Sequence, residues 1–267
     1  MAPAWLLAPA AAVFTAFWLL PIARLTAVGA GGPDGIAAYG AIVTNPAYFS
    51  SLISTVLLSA GVTFATLVIS GVAGLFLSRN NFPGRGLLTA MLTFPLAFPG
   101  VVVGFMVILL AGRQGLIGDI TQWLFDGRLV FAYSMAGLFV GYLYFSIPRV
   151  ILTIMAAAEK LDPKLEEAAR SLGASPWRVI VDVLVPGLKP ALISAGAICF
   201  ATSMGAFGTA FTLATRINVL PITIYTEFTN YANFATAASL SIVLGVLTWL
   251  VLNLARTFAG STVAAAA

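Results

Sequence analysis

Residues 162–186 decide how the rest of this chain is read: Asp-Pro-Lys-Leu-Glu-Glu-Ala-Ala-Arg-Ser-Leu-Gly-Ala-Ser-Pro-Trp-Arg-Val-Ile-Val-Asp-Val-Leu-Val-Pro. The stretch is a charged, sharply punctuated island in a sequence that is otherwise mostly lipid-soluble. Its local grammar specifies two short helices meeting at a bend. Asp162 is a good N-cap, and Pro163 suits the first helical position, where no N–H is needed. Leu165, Ala168, Ala169 and Leu172 recur at i, i+3, i+4 and i+7, which is one apolar helix face. Gly173 can take the left-handed conformation that ends a helix. Ser175 and Pro176 restart the pattern, and Trp177, Ile180, Val181 and Leu184 repeat the spacing. Glu166 and Glu167 precede Arg170 at helical ion-pair spacing, so a salt-bridged surface helix accounts for them better than a catalytic carboxylate pair. A compact element of this kind, held at a membrane surface, is expected to dock a soluble partner and take a push from it.

Outside the island, the composition excludes an ordinary soluble domain. Hydrophobic residues make up 60% and charged residues 8%, with mean hydropathy +1.03, whereas soluble chains carry about 25% charged residues. At roughly 20 residues per crossing, six apolar segments emerge: 5–28, 50–78, 87–111, 129–155, 188–214 and 235–256. The first has no basic residue before it and is long for a cleaved leader, so it reads as a transmembrane helix. The expected class is therefore an all-α membrane protein. Residues 1–258 form one transmembrane domain interrupted by the loop 156–187, and residues 259–267 form a flexible tail. Arg79, Arg85, Arg149, Lys160, Lys164, Arg170, Arg178, Lys189 and Arg256 fall on one side of the membrane. Arg24, Arg113, Arg128 and Arg216 fall on the other. The excess places the island and both termini in the cytoplasm.

Several chemistries lack their residues. There is no His, and Cys199 is the one Cys, so neither an ordinary zinc or iron site nor a Ser-His-Asp arrangement can form. The sequence holds no phosphate-binding Gly-x4-Gly-Lys-[Ser/Thr] loop and no Gly-x-Ser-x-Gly elbow. No acidic residue falls mid-span to relay protons. The net charge of +4 comes with no basic run interleaved with aromatics, so nucleic acid is not an expected partner.

Glu167-Ala168-Ala169, three residues, Gly173, nine residues and Val183-Leu184-Val185-Pro186 resemble a known signature. It is the EAA loop of bacterial ABC importer permeases, E-A-A-x3-G-x9-I-x-L-P, with Val here for Ile and for Leu. The resemblance implies a type I importer fold with six transmembrane helices and a cytoplasmic two-helix coupling element. It implies a second permease subunit, in a homo- or heterodimer, and two cytoplasmic ABC ATPase subunits that bind ATP and Mg. No cofactor is then expected in this chain. It further implies a periplasmic solute-binding protein and a place in the bacterial inner membrane. The ATPase-coupling positions would be Leu165, Glu166, Glu167, Ala168, Ala169, Leu172, Gly173, Ser175, Pro176 and Trp177. The alternative class, a secondary transporter or channel without an ATPase, leaves the island with nothing to dock.

Two segments are candidates for the solute path or its gate. Pro95 and Pro99 each remove a backbone donor and kink the third segment. Gly100 and Gly104 have the spacing of a close helix contact. In the fifth segment, Ser203, Met204, Phe207, Gly208 and Phe211 combine small residues, a hydroxyl and rings at membrane depth. Helical periodicity places Met204, Phe207, Gly208 and Phe211 on one face. Packing explains both segments as readily as a gate does. Permeases for sulfate-like anions often carry Glu-Phe-Gly where this chain has Ala206-Phe207-Gly208. The run Phe207–Phe211 with Asn218-Val219-Leu220-Pro221 looks more like the polyamine, phosphonate and ferric-ion permeases.

Overall fold

The computed structural model describes residues 7–213 and 217–259. The expected start of the first span at Trp5, Arg216 and the tail beyond Ala259 lie outside the described residues. Among the described residues every regular element is helical. They are α1 (Ala8–Ala30), α2 (Gly35–Thr44), α3 (Pro46–Arg79), α4 (Arg85–Ala97), α5 (Gly100–Ala111) and α6 (Leu116–Phe125). There follow α7 (Met135–Ala158), α8 (Pro163–Ser171), α9 (Pro176–Met204), α10 (Gly208–Leu213), α11 (Leu220–Thr229) and α12 (Phe234–Ala259). Among the described residues, six helical segments are long and apolar enough to span a bilayer: α1, α3, α5 with α6, α7, α9 and α12.

Proline chemistry explains where this differs from the expected segments. The apolar run 87–111 is broken at Phe98, which is extended with φ −87° and ψ 130°. A residue before proline is pushed out of the helical region by the ring, so Pro99 ends one helix and caps the next. The third span accordingly runs over Gly100–Phe125. The fifth expected span, 188–214, is also displaced: α9 begins at Pro176 within the island and stops at Met204. Pro21 and Pro186 are each preceded by a π-helical turn, Thr15–Leu19 and Ile180–Leu184. Leu20 N–H reaches back to the Thr15 carbonyl and Val185 N–H to that of Ile180. The wider turn accommodates a ring that would otherwise strike the carbonyl four residues earlier.

The chain forms two compact units. One takes the residues up to Thr55 and Asn218–Thr248. Its core is Ile42, Leu220 and Leu240, with Tyr48, Leu52, Ile224, Val243 and Leu244 around them. Polar bonds tie α3 to α11 there: Ser51 Oγ lies 2.7 Å from Thr223 Oγ1, and Leu220 N–H donates to Thr55 Oγ1 at 2.8 Å. Between the fifth and sixth expected apolar segments lies α11, whose Glu227 is buried. Glu227 accepts from Tyr48 OH at 2.8 Å and from Asn233 Nδ2 at 3.3 Å.

The second unit takes Val56–Ile217 and the residues from Trp249 onward. Leu77, Ile151 and Met155 are buried together, with Ala73, Phe82, Leu92 and Ile147 packed against them. Gly74 allows α3 to lie close on α7, since a Cβ there would sit 2.9 Å from Ile154. Ser70 Oγ donates to the Ile147 carbonyl at 3.2 Å. Small residues and hydroxyl-to-carbonyl bonds are how helices associate where burial from water supplies no driving force.

Candidate functional site

The island folds as its local signals require. Asp162 accepts from Lys164 N–H at 3.0 Å and Ser175 from Arg178 N–H at 3.4 Å, each followed by proline at the first helical position. Gly173 has φ +85°. Ala174 N–H donates to the Ala169 carbonyl and Gly173 N–H to the Arg170 carbonyl, which is the Schellman ending of a helix. The bend is thus a hydrogen-bonded stop that needs a left-handed residue.

Burial inverts the simplest reading of the amphipathic pattern. The buried residue of α8 is Glu166, while Leu165, Leu172 and Trp177 are 55%, 89% and 70% exposed. Glu166 Oε1 lies 2.8 Å from Arg79 Nη2 at the end of α3, close in distance but not aligned as a hydrogen bond. Its Oε2 accepts from Arg170 at 3.3 Å, the intrahelical pair expected from the sequence. Arg79 also donates to the Leu161 carbonyl at 3.4 Å, and Arg85 lies 3.5 Å from Glu159. Charges therefore moor the island to α3 and α4, while Val179 and Leu184 are buried and Leu165, Leu172 and Trp177 are exposed. Glu167, Ala168, Ser175 and Pro176 are exposed as well, and Ala169 is half-buried. An outward set containing Leu165, Leu172 and Trp177 is an apolar patch that a protein surface seldom shows without a partner.

The candidate path residues lie around the two breaks in the spans, Phe98–Pro99 and Gly205–Phe207. Gly208 packs on the start of α5: a Cβ there would be 3.0 Å from Val101 N and 3.3 Å from the Gly100 carbonyl carbon. Gly104 does the same for α10, with its Cβ position 2.7 Å from Thr212 Cβ. Thr209 Oγ1 donates to the Gly100 carbonyl at 2.9 Å, and Thr212 Oγ1 lies 3.2 Å from that of Val101. Tyr142 OH closes on the Ala206 carbonyl at 2.6 Å. Because α9 ends at Met204 and α10 starts at Gly208, Met204, Phe207, Gly208 and Phe211 do not share one helical face as expected. Met204 is buried, Phe211 is exposed, and the rings of Phe207 and Phe211 stack at 5.2 Å. Ser203 is buried with no hydrogen bond to its hydroxyl.

Pro95, Leu96, Phe98, Gly100, Ala206, Gly208 and Thr209 line a cavity of about 270 Å³ together with Phe145, Thr202 and Arg149. Pro99 is not on its wall and serves as the N-cap of α5. Arg149 is the one charged residue on that wall. It belongs to the island's side in the Lys and Arg distribution and lies inside α7, nine residues before Ala158, or about 13 Å of helical rise. Among the described residues its guanidinium has no ion pair and donates no hydrogen bond. The side chain is exposed in the single chain, and an arginine within an apolar span marks a functional position by default. The available signal was that Arg149 falls inside the apolar segment 129–155 itself.

Residues 67–260 match the family described as binding-protein-dependent transport system inner membrane component. The sulfate transport system permease protein CysT of Escherichia coli K12 is 34% identical over 216 residues, covering 78% of this chain and 76% of that protein. The molybdenum transport system permease protein ModB of the same organism is 34% identical over 211 residues, 76% of this chain and 89% of that protein. A putative 2-aminoethylphosphonate transport system permease protein, PhnU of Salmonella typhi, is 29% identical over 251 residues, 91% of this chain and 87% of that protein. In fold, the chain is similar to one from a bacterial alginate ABC transporter solved with an alginate-bound periplasmic protein. The TM-score is 0.82 at 17% identity, covering 94% of this chain and 91% of that one.

Proposed function

This chain belongs to the family of binding-protein-dependent transport system inner membrane components, as the permease subunit of an ABC importer, and we propose from that premise that the island at 162–186 is its socket for an ATPase. The observation that carries this reading is the outward apolar set Leu165, Leu172 and Trp177 on an element fixed from behind by Arg79, Glu166 and Arg170. Fixed from behind, the island transmits force instead of absorbing it. Closure of two ATPases on ATP would move the island, and with it α9, which begins at Pro176 in the island and runs on into a span. One chain supplies one island, so two ATPases call for a second permease subunit. The Lys and Arg excess on the island's side places that side in the cytoplasm. A periplasmic binding protein would then meet segments 29–47, 112–128 and 215–234. ATP and Mg would reside in the ATPases.

The solute is a small polar one. Of the classes expected from the sequence, phosphonate has a counterpart among the relatives, beside sulfate and molybdenum. Co-purification with the ATPase and ATP-dependent uptake into proteoliposomes carrying the binding protein test the whole reading. Trp177→Asp is expected to release the ATPase and abolish uptake. Uptake that continues without any ATPase would instead mean a secondary transporter. In a Cys199→Ala background, a cysteine at Asp34 is expected to react with impermeant reagent from the periplasmic side and one at Ser175 from the cytoplasmic side. The reverse pattern would overturn the orientation.

A further inference from the structure

We propose that the cavity behind the two helix breaks is a transit site for a small oxyanion, held there by Arg149. This rests on the permease reading and narrows its substrate class. Three observations carry it. Non-helical backbone at membrane depth is tolerated only inside protein or beside a water-filled cavity, and both breaks, at Phe98 and at Ala206, border this one. Its volume of about 270 Å³ equals the share of about nine liquid waters at ~30 Å³ each. That leaves room for a small, partly hydrated ion. The third observation is the distribution of donors. An anion needs hydrogen-bond donors, and the hydroxyl protons on the wall are already engaged. Thr202 donates towards the Ile198 and Cys199 carbonyls and Thr209 to that of Gly100. Arg149 keeps five uncommitted N–H donors and a fixed positive charge, in a planar fork suited to two oxygens of sulfate or phosphonate. The same charge repels a polyamine or a ferric ion. No acidic residue lies on the cavity wall to neutralise it.

The test uses the full complex of permease, ATPase and binding protein in proteoliposomes, offered sulfate, molybdate, 2-aminoethylphosphonate and spermidine in turn. The wild type is expected to import at least one of the three anions and to exclude spermidine. Arg149→Gln should lower that anion's uptake at least tenfold while ATPase co-purification stays unchanged. A packing defect is separated by Arg149→Cys in the Cys199→Ala background. 2-Aminoethyl methanethiosulfonate restores a positive charge there and should restore uptake. Methyl methanethiosulfonate, which adds similar bulk without charge, should not. Import of spermidine alone would overturn the proposal. So would uptake by Arg149→Gln within twofold of wild type, or equal behaviour after the two reagents. Failure of the wild-type chain to hold its ATPase would sink the permease reading itself, and the transit site with it.

Discussion

The island at 162–186 and the contact of α5 with α10 are built on opposite principles. The island is held from behind by ion pairs of Glu166 with Arg79 and Arg170, and it presents large apolar side chains outward. Where α5 meets α10, side chains are almost eliminated: Gly100, Gly104 and Gly208 let backbone lie against backbone, and threonine hydroxyls bond across to carbonyls. An element moored by charge and facing out with apolar groups can change partner without refolding. A contact made of glycines leaves no room for an added side chain. The first suits a surface pushed from outside, and the second suits a tight contact beside a path.

The largest effect is expected at the contact of α5 with α10. Gly104→Leu must displace Thr212, and overpacking of this kind costs about 1–3 kcal/mol. Thermal unfolding of the purified chain should show the upper part of that range. A variant as stable as wild type would mean that α5 and α10 are not locked together. Next, Glu166→Gln removes the charge that gathers Arg79 and Arg170. Hydrogen bonds to charged groups contribute about 1.5–3 kcal/mol, and the lower figure applies because Arg170 is mostly in solvent. The loss should appear as faster proteolysis of the island before any change at α5.

Gly173→Val asks a β-branched residue to adopt φ +85°, at about 1–2 kcal/mol. Nothing lies within 4 Å of the added Cβ, so the cost is purely conformational. Gly173→Asn should therefore be milder, since Asn tolerates the left-handed region. The smallest effect on stability belongs to Glu167→Lys. The residue is exposed, and such changes stay within about 0.5 kcal/mol, yet ATPase co-purification should weaken. Equal stability losses at Glu166 and Glu167 would erase the distinction between mooring and docking.

The two regions were not equally legible in the sequence. The island's caps, prolines and left-handed glycine act within four or five residues of themselves, so their signals could be read locally and the structure follows them. Its outward face was not legible in the same way. Spacing gave the apolar stripe of Leu165 and Leu172, but Glu166 is buried only because Arg79 stands 87 positions earlier to meet it. Around α5 and α10, Pro95 and Pro99 marked weak points, while hydropathy ran unbroken across the breaks. Whether a proline kinks or breaks a span depends on what receives the freed backbone groups, and Tyr142 and Thr209 arrive from elsewhere in the fold. Arg149 was legible only as a charge near the end of an apolar run. Its place on a cavity wall appears only when α7 is set beside the breaks.

The island's outward face, as the proposed ATPase socket, is where the importer must be coupled to ATP. A photo-crosslinking amino acid placed at Leu172, the most exposed of the three apolar positions, tests this directly in the assembled complex. The expected result is a strong adduct with the ATPase subunit that changes in yield between nucleotide-free and ATP-bound conditions, with no adduct from the same probe at Trp123, on α6. Adducts only with lipid, or with the ATPase equally from both positions, would contradict it.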